Sequence, residues 1–138
     1  MDRNNIREKE IFEEIEVESS KIHQSDLNKI ISGEKKIVQK SSKLDIGKFK
    51  KLINQIKLAV DLIKDFKAKK YTNIPWRSIA LIAVGILYFV NPLDIVPDML
   101  PLFGITDDAL LFAFVFKSVQ FDLEKYAKWK GLDSGKYF

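Results

Sequence analysis

Between Arg77 and Lys117 the chain carries no lysine or arginine, although basic residues are dense elsewhere. The only charges in that stretch are Asp94, Asp98, Asp107 and Asp108. They sit in a proline-punctuated run, NPLDIVPDMLPLFGITDD (91–108), between the apolar segments 79–90 and 109–116. Two apolar arms around a rigid, acidic bend predict a helical hairpin that meets either a membrane or a deep core. With that hairpin at its centre, the chain reads as an all-α protein.

The arms set a limit on how such a hairpin meets lipid. Residues 78–90 are apolar nearly all round, as in a helix buried on every side. Thirteen residues rise only about 20 Å, short of the roughly 30 Å of a bilayer's hydrocarbon. A straight span is too short, so a re-entrant hairpin, a thinned bilayer or a buried protein core would each fit. Pro75 suits the first turn of this helix, which runs from Trp76 to Val90. The next helix starts at Thr106 or Asp107 and reaches about Lys130, with Gly131 as its stop. Trp76, Tyr88 and Trp129 are candidates for interfacial anchoring or for ordinary packing.

Ahead of the hairpin, Phe49, Leu52, Ile53, Ile56, Val60, Ile63 and Phe66 recur at three- and four-residue steps from Ile46 to about Lys70. This spacing places them on one helical face, with Lys50, Lys51, Lys57 and Lys64 opposite. Ser42 and Asp45 offer a capping box for this basic amphipathic helix. Its lysine face suits a membrane surface or plain solvent. Upstream, Ser25-Asp26 can cap a short helix that Gly33 ends, and a basic stretch follows. The division is therefore a polar helical extension over 1–45, a core over 46–131 and a tail over 132–138.

Charge is partitioned along the chain. Residues 1–20 hold three basic and seven acidic groups, residues 21–73 fourteen and five, and residues 74–138 six and seven. A basic block ahead of an apolar one is the asymmetry of a protein facing anionic headgroups from the cytoplasm. Basic groups on both flanks of the hairpin place both termini on that side, at the cytoplasmic membrane. Nucleic acid would also attract the basic block, but aromatics are not interleaved with its lysines, so this partner is weighed below a lipid membrane. A protein partner or a second copy also suits such a module. The N-terminus is hydrophilic, with no apolar run of the kind a cleaved secretory signal needs.

Chemistry is thinly represented. There is no cysteine, and the one histidine, His23, lies in a polar stretch without partners for metal binding. No nucleophile triad, phosphate loop or paired-histidine motif occurs. Asp94, Asp98, Asp107 and Asp108 are the only candidate ligands, and they suit a divalent cation or a cation-dependent hydrolytic site. Architecture accounts for most of them. Asn91 is a good N-cap and Pro92 a good first helical residue, with Asp94 then in the first turn, while Asp107 and Asp108 follow Thr106 into the first turn of the last helix. Only Asp98 lacks a local task.

The run resembles the YkvA-like family, small bacterial proteins grouped as a domain of unknown function. The resemblance rests on Tyr88-Phe89, Asn91-Pro92-Leu93-Asp94, Pro97-Asp98, Pro101, Gly104 and Asp107-Asp108, and covers about 75–116. It implies a small helical, membrane-associated protein with no activity attached to the motif. Residues 1–45 lie outside it.

Overall fold

The computed structural model describes residues 13, 15–90 and 115–138. Among these residues five helices are defined: α1 (Gln24–Ser32), α2 (Glu34–Ser42), α3 (Ile46–Lys67), α4 (Trp76–Val90) and α5 (Gln120–Trp129). Residues 15–19 and 115–118 are also helical, and a 3-10 turn spans Ser134–Lys136. No strand occurs among the described residues, and the protein is all-α.

Helix boundaries follow local chemistry. His23, not Ser25, precedes α1; its backbone N–H donates to Asp26 Oδ2 at 2.8 Å, so Asp26 acts from inside the first turn. His23 is exposed. Gly33 separates α1 from α2 with an ordinary negative φ, and the basic stretch after it is helical. Asp45 caps α3 by itself, accepting from the Gly47 N–H at 2.9 Å, while Ser42 is the last residue of α2. α3 ends at Lys67, where Lys69 adopts φ 61°. The Lys70 N–H reaches the Asp65 carbonyl at 2.9 Å, closing a Schellman turn on a residue that is not glycine. α5 ends in the same way on Gly131, at φ 77°, with Leu132 N–H donating to the Ala127 carbonyl at 2.9 Å.

α4 is the centre of the molecule. Its apolar residues from Ile79 to Val84, and Ile86, are 0–2% exposed. They are covered by the chain itself, since α1, α2 and α3 all pack on α4. α3 in turn touches α1, α2, α4 and α5. This explains why Leu58, Ala59 and Leu62 are buried along with Leu52, Ile53, Ile56, Val60 and Ile63. A helix with neighbours on several sides needs more than one apolar stripe. Ile15, Ile22, Leu27, Ile30 and Ile37 bring residues from before α3 into the same core. Tyr88 is buried with them, leaving Trp76 and Trp129 as the partly exposed aromatics of the three singled out from the sequence.

Among the described residues no helix is long and apolar enough to cross a membrane. The fifteen residues of α4 rise about 22 Å.

Candidate functional site

Asn91, Pro92, Asp94, Pro97, Asp98, Pro101, Gly104, Asp107 and Asp108 all lie outside the described residues. The structure supplies the frame from which that segment departs and to which it returns. At the departure, Tyr88 and Phe89 are buried, and Lys40 of α2 closes the end of α4. Its ammonium donates to the Phe89 carbonyl and stands 4.9 Å from the centre of the Phe89 ring. A cation at the carbonyl end of a helix meets the negative pole of its dipole and one of its unsatisfied acceptors.

At the return, Val115 packs against Gly85. A Cβ built on Gly85 would lie 3.3 Å from Val115 Cγ1, so the missing side chain permits this approach. Further along, the Ser78 hydroxyl donates to Asp122 Oδ2 at 2.5 Å. Ser78 opposite Asp122 and Gly85 opposite Val115 make the two segments antiparallel. The connection between them, 91–114, is outside the described residues.

The C-terminal segment also runs along α3, in the same direction. Near its far end the Tyr126 hydroxyl donates to Asp65 Oδ2, and Lys130 stands 3.6 Å from carboxylate oxygens of both Asp61 and Asp65. Tyr71 packs edge-on to Tyr126, with ring centres 5.0 Å apart. Burial pushes the Tyr126 phenol far above its ordinary value, and the bond to Asp65 raises it further. Burial also raises the Tyr71 phenol, with Asp122 adding to the effect. Both phenols sit in one packed knot in which Tyr126 is hydrogen-bonded to Asp65, while the buried Tyr71 hydroxyl has no hydrogen-bond partner among the described residues.

The near end of the same pair opens into a cleft of about 610 Å³. Phe49, Leu52 and Phe116 are among its apolar lining, and Lys50, Lys51 and Lys117 among its polar lining. Phe49 is the one residue within α3 with non-helical backbone angles, φ −119° and ψ 25°, and the helix kinks there. Sequence periodicity set Phe49 and Leu52 apart from Lys50 and Lys51 as opposite faces of one helix. It had no means of bringing 49–52 to 116–117, because that contact depends on how α5 lies along α3.

Among the described residues no three His, Cys, Asp or Glu side chains gather in a way that would hold a metal. The four motif aspartates are not among those residues.

A family model described as "Protein of unknown function (DUF1232)" matches residues 78–114, from the first buried turn of α4 through the whole acidic run. The chain is 31% identical over 81 residues to a Bacillus subtilis (strain 168) protein named "Uncharacterized membrane protein YkvA", covering 59% of this chain and 76% of that relative. No solved structure matches the chain.

Proposed function

The chain belongs to the YkvA-like family of unknown function, and from that membership we propose that it is a non-enzymatic interaction module docked on the cytoplasmic membrane. The relative's description as a membrane protein supports the location most directly, at 31% identity over a stretch that spans most of its length. The basic excess of residues 21–73 supports the face, since cytoplasmic headgroups attract lysine. α4 already has its apolar surface covered by α1, α2 and α3, which favours docking over insertion of that helix. In this reading both termini are cytoplasmic, and 46–131 is the family unit with 1–45 as its N-terminal extension. A protein partner or a second copy would be recruited at the bilayer surface.

Fractionation tests the proposal. The protein is expected to sediment with membranes and to be released by alkaline carbonate. Retention after carbonate would replace docking with insertion. Recovery in the supernatant before any wash, without detergent, would remove the membrane from the account.

The motif aspartates are assigned an architectural role, as first-turn and turn residues of the segment they occupy. Millimolar Mg²⁺, Mn²⁺ or Ca²⁺ is then expected to leave the melting temperature unchanged. A cation-dependent rise that Asp98→Asn abolishes would establish a binding site instead.

A further inference from the structure

We infer that the cleft between the first turns of α3 and the start of the C-terminal helical segment binds the phosphate headgroup of an anionic phospholipid; this rests on the membrane reading above. Lys50 and Lys51 from α3 and Lys117 from the C-terminal segment are exposed at the cleft, and among the described residues that line it there is no carboxylate. Among the described residues none of these three lysines takes part in an ion pair, whereas Lys21, Lys29, Lys64 and Lys130 each have a carboxylate within 4 Å. Three ammonium groups around one concavity, with no carboxylate partner among the described residues, fit a phosphodiester anion. Beside Gln55 and Gln120 the wall has an apolar part: Leu52 and Phe116 are buried and Phe49 is half-buried, leaving a surface for the first carbons of an acyl chain. A soluble phosphate would use only the lysines, and a nucleic acid would want an extended basic track with bases stacked on aromatics. A headgroup with a hydrocarbon tail uses both parts.

The position of the cleft agrees with its occupant. Val115, beside Phe116, packs on Gly85, about 8 Å of helix rise from the end of α4 at Val90. The cleft therefore lies at the end of the bundle from which the family motif departs. Lys40, at the Phe89 carbonyl, adds another cation to that end.

The test compares the full chain with Lys50→Gln/Lys51→Gln/Lys117→Gln, and with the charge-matched control Lys69→Gln/Lys70→Gln/Lys128→Gln. All six lysines are exposed, so both variants should melt as the parent does. Partitioning is measured onto phosphatidylglycerol-containing vesicles and onto pure phosphatidylcholine vesicles. The cleft variant is expected to lose roughly a hundredfold in partitioning to anionic vesicles, with a much smaller loss in the control. Equal losses in both variants, with the parent still bound, would overturn the cleft and leave the membrane reading intact. Failure of the parent to bind either vesicle would overturn the membrane reading itself. Displacement by millimolar inorganic phosphate would reassign the cleft to a soluble anion. Tighter binding of a duplex oligonucleotide than of vesicles, lost in the cleft variant, would reassign it to nucleic acid.

Discussion

Tyr126 joins burial to a polar contact more closely than any other side chain on the α3–α5 seam. It is fully buried, packs on the ring of Tyr71, and donates to Asp65, which Lys130 also approaches. Tyr126→Phe keeps the ring and removes only the hydroxyl, so the expected loss at neutral pH is about 1–2 kcal/mol in a denaturant titration. The pH dependence follows from the raised phenol. In the unfolded chain tyrosine ionises near pH 10, while in the folded protein Tyr126 holds its proton to higher pH. Its stabilising contribution is thus complete below about pH 10 and is lost as pH rises beyond that. The gap between parent and variant should narrow across that limb; a constant gap would show that the phenol is not shifted. Lys64, raised by its hydrogen bond to Glu34, loses its contribution in the same direction and is common to both proteins. At this scale sequence reading was uneven. Glycine's tolerance of positive φ let Gly131 be identified as a helix stop, but nothing in the composition of Lys69 betrays that it takes the same backbone conformation.

At the scale of elements, the bounds of α4 and the start of α3 were legible, because proline, a capping aspartate and unbroken apolar periodicity act within a few residues. What lay beyond reach was the surroundings of α4. A helix apolar all round is equally at ease among lipids or among other helices, and its own residues cannot say which. The deciding residues are Leu27, Ile30 and Ile37, in the short N-terminal helices that the sequence constrained least. The motif itself falls outside the described residues, and its supports are α4 before it and the helical segment from Val115 after it. One support yields a prediction. The close contact of Gly85 and Val115 leaves no room for a branched side chain. Gly85→Leu is expected to cost at least about 1–3 kcal/mol through overpacking, read as a fall in melting temperature. An unchanged melting temperature would mean that the two segments separate at little cost.

For the whole molecule, the core is continuous from Ile15 to Ala127. Removing residues 1–43 would uncover one side of α4 and discard five side chains that are buried and apolar among the described residues. At about 1.5–3 kcal/mol each, that loss is roughly 10 kcal/mol, comparable to the entire stability of a domain this size. The truncated chain is expected to lose its cooperative melt and to need detergent to stay dispersed. A truncated chain that still melts cooperatively in buffer would show that α3, α4 and α5 suffice. The tail adds a practical corollary. Asn54 and Gln55 donate to the carbonyls of Lys136 and Tyr137, stitching the last residues back onto the first half of α3. A fluorophore fused after Phe138 would therefore be moored next to Gln55, on the wall of the basic cleft, and its emission would report arrivals there without any label inside the bundle.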